Sequence, residues 1–451
     1  LRIRLWLILC MALLITSPIA ANTASAEASG QDFAAQWVLD EKKLGVAFRY
    51  NYSSYRQTTG LFSIPLTNKA GHSYFVVHRS NDIFTNSILC VSPDGKIKWR
   101  RDFQANELDV KGNNIHMDEQ GNIYYVTTKS SGKTRIRTAY SLSPEGKQRW
   151  SYTIPGTSGG WLQLKGDGNA VITTNTKLFV INPSGKVVFS KALPETAGND
   201  NLSFFTANKG KMVYHKYVYQ KSSVIGQELH VYGSDNKFLY KISVKTSFGG
   251  LGYRQLRFLD NGDALNVQSY VDSANPAVLR LYDAKGKLKW KKVIYSYVSE
   301  DDVFVSGRNV YYRTGYRSNT MPHSLHRIDA DTGLETAKYT SKFRHFNTFY
   351  AGYNQETIYE NEPLMQAMGR NDLSSEKDLS LYEIGTNTLK TMDPKTLAIT
   401  KDYKESLDAF ILSYFQAEVY KVVSARNGFA YVYFNDAKTR SYYLARIKLG
   451  K

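Results

Sequence analysis

One stretch recurs along the chain and limits the folds open to it. Val91 to Trp99 (VSPDGKIKW) returns as Leu142 to Trp150 (LSPEGKQRW) and as Leu281 to Trp290 (LYDAKGKLKW). Each copy is an apolar strand end, a turn built on Pro or Asp with Gly, and a short strand that closes on tryptophan, the pattern of a tight β-hairpin. Weaker copies run from Ile181 to Phe189, Tyr232 to Tyr240, Ile328 to Tyr339 and Met392 to Tyr403.

A second unit alternates with the first: an apolar strand, a polar turn with Gly, and a strand rich in β-branched and aromatic residues. It reads His116 to Val126, Leu162 to Ile172, Phe258 to Val267 and Val303 to Tyr312, with looser copies around Gly71, Gly210, Gly428 and Tyr353-Asn354. Two hairpins per repeat give four antiparallel strands, and a four-stranded repeat of roughly 40 to 50 residues is a propeller blade. The expected fold is therefore an all-β, single β-propeller of eight four-stranded blades, or seven if the unit around Asn354 is an insertion. The last unit supplies only three strands, ending at Leu449, whereas Gln36-Trp37-Val38-Leu39-Asp40 near the other terminus matches the outer-strand segment around Trp99. The segment around Trp37 is expected to complete the last blade and close the ring, hiding two sheet edges. Trp37, Trp99, Trp150 and Trp290, with the turn glycines Gly95, Gly146, Gly185 and Gly286, then hold structural positions in the repeat, the aromatic packing between neighbouring blades.

Residues 1 to 26 read as a signal peptide, with a basic start at Arg2 and Arg4, an apolar core from Leu5 to Ile15 and an Ala24-Ser25-Ala26 cleavage site. That core is shorter than the roughly 20 residues a bilayer span needs, so residues 27 to 451 are expected to form a secreted, extracellular propeller domain with no membrane span. The formal charge is +18. Cleavage removes two arginines and no acid, so the mature chain stays strongly basic, as suits retention on polyanions such as cell-wall polymers. Cys90 alone follows the leader, which excludes a disulfide framework; in the run Ile88-Leu89-Cys90-Val91 it reads as a small buried hydrophobe.

The strand, Asp, Gly-Lys turn and Trp of these hairpins resemble the blade signature of the PQQ-like repeats of quinoprotein-type propellers, over residues 33 to 450. The resemblance implies fold. Dehydrogenases of that type carry a vicinal cysteine pair beside the quinone and a calcium site on the axis; with one cysteine after the leader, this chain resembles instead the non-enzymatic members, and no cofactor is expected.

No nucleophile elbow, zincin or phosphate-loop motif is present. His323 and His326 alone among the eight histidines have ligand-like spacing, yet residues three apart on a strand face opposite ways, so no metal site is expected. Glu300-Asp301-Asp302 precedes a first strand and keeps open the alternative of an extracellular polysaccharide hydrolase or lyase, which needs two converging carboxylates. The connections between second and third strands read as long polar loops, at His78 to Asn86, Lys129 to Arg137, Tyr217 to Glu228, Ser269 to Pro276 and Arg313 to His323. Sites gather on loops held by a rigid scaffold, and Arg135, Arg137, Tyr219, Tyr270, Arg313, Tyr316 and Arg317 offer guanidinium forks and aromatic faces for ligand binding. Glu360 to Asp378 is a longer insertion with no assignable chemistry. The expected function is that of a monomeric binding scaffold engaging an anionic cell-wall polymer, a glycan or an exported protein through this loop face.

Overall fold

A computed structural model describes residues 33–48, 65–79, 82–105, 107, 115–131, 134–156, 159–174, 176–193, 204–220, 223–245, 254–268, 276–296, 298, 303–314, 324–340, 380–383, 388–393, 395–403, 411, 420–426, 429–436, 439 and 441–449. The leader, the unit around Asn354 and the insertion at 360–378 lie outside the described residues. Those described form eight antiparallel sheets, taken here as blades 1 to 8 in chain order, and one helical turn, Glu41–Leu44.

Blade 2 shows the plan. His116–Met117, Ile123–Ser131, Thr134–Leu142 and Gln148–Ile154 pair in chain order, each with the next. Blades 3 (Gly159–Leu164, Ala170–Thr174, Lys177–Ile181, Val187–Ala192), 4 (Phe204–Asn208, Lys211–Gln220, Ser223–Tyr232, Phe238–Lys245), 5 (Arg254–Phe258, Ala264–Gln268, Ala277–Tyr282, Leu288–Ile294) and 6 (Val303–Ser306, Asn309–Thr314, Ser324–Asp329, Glu335–Thr340) repeat it. In blade 1 the strands Ser73–Arg79, Asp82–Val91 and Ile97–Asp102 follow two short segments, Val46–Ala47 and Leu66–Thr67, which both pair with Ser73–Arg79. Blade 7 has three described strands, Ser380–Glu383, Thr388–Met392 and Ile399–Asp402.

Blade 8 closes the ring as the sequence predicts. Tyr420–Arg426, Phe429–Asp436 and Ser441–Leu449 are completed by Phe33–Asp40, with Trp37 opposite Arg446. Blades 8 and 1 are then tied by polar contacts. The Tyr431 hydroxyl stands 2.5 Å from both Ser73 Oγ and Thr67 Oγ1. The buried Arg446 donates from Nη1 to the Gly71 carbonyl at 2.5 Å and lies over the Phe429 ring.

Apolar clusters fill the spaces between consecutive sheets, blade 8 against 1, 1 against 2, and so on to 5 against 6. A central strand is therefore covered on both faces and is buried at every position, as Ala170–Thr174 and Ala264–Gln268 are. Only outer strands alternate, as Ile97–Asp102 does. Cys90 is buried in the cluster between blades 1 and 2, where burial pushes its thiol up to about 12, away from reactivity.

The repeated tryptophan sits on the turn of the next blade. A methyl added at Gly146 would stand 2.8 Å from Trp99 Cγ, and one at Gly185 would stand 2.5 Å from Trp150 Cβ. Both glycines are left-handed, at φ 79° and 85°, so the turn needs glycine twice over, for its backbone and for the ring against it. Trp99 Nε1 also donates to the Pro144 carbonyl at 3.0 Å, and Trp290 Nε1 to the Ala330 carbonyl at 2.7 Å. Gly185→Ala is expected to cost about 2–4 kcal/mol, combining left-handed strain with overpacking. Trp37→Ala, which opens the closing seam, is expected to cost about 3–5 kcal/mol. Urea midpoints of the two variants against the native protein measure both.

Candidate functional site at the hairpin tips

The second strands of blades 2, 3 and 4 all start just past a turn glycine, Gly121, Gly168 and Gly210, so their hairpins rise from a common level. They end at different heights. Ile123–Ser131 and Thr134–Leu142 have 9 residues each, Ala170–Thr174 and Lys177–Ile181 only 5, and Lys211–Gln220 and Ser223–Tyr232 have 10. At about 3.4 Å per residue, the hairpins of blades 2 and 4 overtop that of blade 3 by roughly 14–17 Å. Blade 3 stops short because Thr174 Oγ1 accepts the Lys177 N–H at 2.9 Å and donates to the Lys177 carbonyl at 3.0 Å, locking a tight turn. Two ridges thus flank a notch.

Most of the expected long loops are strand. Residues 129–131 and 134–137, 217–220 and 223–228, and 78–79 and 82–86 continue their hairpins. The reading of His78 to Asn86, Lys129 to Arg137 and Tyr217 to Glu228 as loops is corrected accordingly; their polar residues pair across the hairpin in register, Lys129 with Ile136 and Tyr217 with Gln227.

The ridges are cationic. On blade 2, Lys129 and Arg135 are exposed, with Lys129 Nζ 3.4 Å from Glu107. Arg137 is half-buried, and among the described residues its buried Nε has no hydrogen-bond partner. Lys177 is exposed at the floor of the notch and Lys216 on the blade 4 ridge. Each ridge also shows one exposed isoleucine, Ile136 and Ile225. The carboxylate on the blade 4 ridge, Glu228, accepts from Lys241 at 2.9 Å, which holds it below the ordinary range against its partial burial; His230 and Lys216 lie at 3.2 and 3.7 Å.

Below the tips lies a layer of buried polar side chains. His78 and Asn86 face each other in blade 1; blade 3 supplies Thr173 and Thr174, blade 5 Asn266 and Gln268, blade 6 Ser324 and His326. In blade 4 the Gln227 amide Nε2 donates to Nδ1 of His215 at 3.1 Å, and burial keeps that imidazole neutral. Sequence reading missed this layer, since single polar residues inside apolar runs carry no spacing signal.

The predicted site residues divide. Arg135 and Arg137 stand together on the blade 2 hairpin, while Arg313 stands half-buried in blade 6, four sheets away in the ring. Tyr270, Tyr316, Arg317 and Glu300-Asp301-Asp302 lie outside the described residues, as does the side chain of Tyr219. The His323-His326 pair splits likewise: His323 lies outside, and His326 stacks on Tyr312 with Nδ1 2.9 Å from Glu335 and Nε2 3.1 Å from Thr314 Oγ1. Both ring nitrogens of His326 are engaged within the blade, leaving none to ligate.

Burial pushes His215 down to about 3 from the ordinary 6.5. The unfolded chain takes up that proton first, so the stabilisation is fully present above pH 6.5 and is lost as the pH falls toward 3. The difference amounts to up to about 5 kcal/mol. His215→Gln is expected to flatten the acid limb of the stability profile between these limits, read from urea midpoints across that range.

Residues 69–226, from blade 1 into the blade 4 hairpin, match the family model described as outer membrane protein assembly factor BamB. No curated protein matches the chain. Among solved structures, BamB from Moraxella catarrhalis is similar at 10% identity, over 70% of this chain and 87% of that one, with a TM-score of 0.39. The β-propeller domain of the Trilobed protease from Pyrococcus furiosus is similar at 15% identity, over 59% and 82%, with a TM-score of 0.41. A europium-containing methanol dehydrogenase is similar at 9% identity, over 91% and 95%, with a TM-score of 0.43. Residues 69–226, which include the notch, are similar to the PQQ-like, BamB-type repeats of that family model.

Proposed function

We propose that the protein is an exported, non-catalytic binding scaffold that takes an extended anionic partner into the notch over blade 3. The partner is a strand of anionic cell-wall polymer or glycan, or an acidic segment of an exported protein. The observation that carries this reading is Arg137: a half-buried guanidinium whose Nε has no partner among the described residues, at the foot of a ridge that also bears Lys129 and Arg135. A buried donor without an acceptor costs free energy until a ligand supplies one. Guanidinium forks and a cationic floor suit carboxylate or phosphate groups spaced along a chain. Export rests on the leader pattern of residues 1 to 26, and the family description, that of an assembly factor, names a protein that works on other proteins.

Catalysis finds less support. Glu228, the described carboxylate of the blade 4 ridge, is held below the ordinary range by Lys241, which favours its charged form and does not suit it for delivering a proton.

The test is retention of the protein on immobilised anionic polysaccharide, neutral polysaccharide and an acidic peptide, at low and high salt. Retention is expected on an anionic phase, weakened by salt. Arg135→Ala combined with Arg137→Ala is expected to lower that affinity by roughly 10- to 100-fold, the loss of one or two charge-assisted hydrogen bonds. Equal retention of native and variant protein, or retention on the neutral phase alone, overturns the reading.

A further inference from the structure

The opposite end of the ring carries a second surface. In blades 1 to 7 the register between third and outer strand slips by one residue just past the turn, as between Val180/Ile181, Val231/Tyr232 and Leu281/Tyr282. Such a bulge sets two outer-strand residues against one partner and breaks the alternation of faces. Two successive residues then turn outward before the strand resumes its pattern, and the burial of Phe238–Lys245 and Leu288–Ile294 begins with just such a pair.

In blades 3, 4, 5 and 7 the first of these outward residues is apolar. Blade 3 shows Val187 and Val188, blade 4 Phe238 and Leu239, blade 5 Leu288, blade 7 Ile399, and blade 6 Leu334 one residue earlier. All are between 42% and 66% exposed. Singly, exposed apolar side chains are ordinary; their recurrence at one repeat position in four blades, with Leu334 one residue away from it in a fifth, is not. Lys186, Lys237 and Lys287, each exposed, immediately precede the apolar residues of blades 3, 4 and 5. Asp235 lies 3.4 Å from Lys237, and Asp283 shares the blade 5 turn.

We infer that this rim adheres to an anionic bilayer surface. Equivalent positions around a propeller are related by rotation about one axis, so the apolar residues lie near one plane perpendicular to it. A flat partner meets all of them together; a single strand or helix reaches only neighbouring blades. The bulges themselves disfavour an added β-strand, because they interrupt the edge it would pair with. Lysines beside apolar residues are what an interfacial site needs: the apolar groups enter the acyl boundary while the ammonium groups meet lipid phosphates.

The test is sedimentation of the intact protein with phosphatidylcholine vesicles, with and without phosphatidylglycerol. Binding is expected to the phosphatidylglycerol vesicles and to fall as salt is raised. Phe238→Ser with Leu239→Ser is expected to lower the partition by about tenfold or more, with its thermal transition close to native because both side chains are exposed. Lys186→Gln, Lys237→Gln and Lys287→Gln together are expected to remove most of the salt-sensitive part. A Phe238→Trp reporter is expected to shift its emission to the blue on phosphatidylglycerol vesicles. Arg135→Ala with Arg137→Ala, on the other face, is expected to leave vesicle binding unchanged, so that this inference and the notch reading fail separately. No sedimentation with either vesicle, or a double serine variant that partitions as the native protein does, overturns the inference. So does concentration-dependent self-association that the serine variant abolishes in the absence of vesicle binding, which would give the rim to a second copy of the chain.

Discussion

An aromatic ring on the outer strand of one blade rests against the turn of the next, and the rest of the molecule depends on that contact. Trp37 covers the turn at Gly95, Trp99 that at Gly146, Trp150 that at Gly185, Tyr240 that at Gly286 and Trp290 that at Gly333. The contact fixes the spacing between sheets at their periphery, while the apolar clusters fix it nearer the axis. A four-stranded sheet with two apolar faces has no stable existence alone. Each blade is folded only because its neighbours are, and the closing strand Phe33–Asp40 transmits that dependence from one end of the chain to the other.

The two ends of the ring are built differently. At the turn end, polar bonds join blades. Lys165, fully buried, donates to the Ser234 carbonyl at 2.6 Å and to Asn236 Oδ1 at 2.8 Å, linking blade 3 to blade 4. Arg149 reaches the Pro183 carbonyl from blade 2, and Lys289 of blade 5 meets Asp331 of blade 6. At the tip end, bonds such as His215 to Gln227 and His326 to Thr314 lie within a blade. Hairpin height can therefore change there, as it does from blade 2 to blade 3 to blade 4, without disturbing the ring. That freedom makes the tip end the place for recognition.

The architecture was legible because its signals are local and repeated. A turn of Pro, Asp and Gly followed by tryptophan marks one corner of a blade, and its recurrence marks the ring. Where the same corner uses other residues the signal fades: Asn236 and Leu397 hold the left-handed position in blades 4 and 7 without glycine, at φ 63° and 58°. The closing strand was readable because Trp37 repeats the context of Trp99. The site was less legible. Lys129 to Arg137 is polar and reads as loop, yet hydrogen bonding between the two arms carries the hairpin on, since one solvated face of a strand tolerates Lys, Ser, Thr and Arg. The notch depends on the difference between neighbouring hairpins, which no single stretch of sequence contains. Arg135 and Arg137 could be picked out by type, but Arg313, of the same type, stands across the ring.

The notch and the apolar rim sit on opposite ends of the propeller axis, and that opposition follows from strand direction. Second-to-third connections close at one end, first-to-second and third-to-fourth turns at the other, in every antiparallel blade of this order. A body resting on a bilayer by its turn end therefore holds its hairpin tips away from the lipid. Phosphates beneath the rim then compete little with the anionic partner for a cationic notch that faces outward, because charge at the surface is screened within about 8–10 Å in physiological salt. The outer-strand bulge shapes both ends of this arrangement. It breaks the edge against strand pairing, and the first of the two residues it turns outward is valine in blade 3, phenylalanine in blade 4 and leucine in blade 5. Had these been lysine throughout, as at Lys98 in blade 1, the edge would be protected equally well. Protection explains the bulge; it does not explain the apolar side chains.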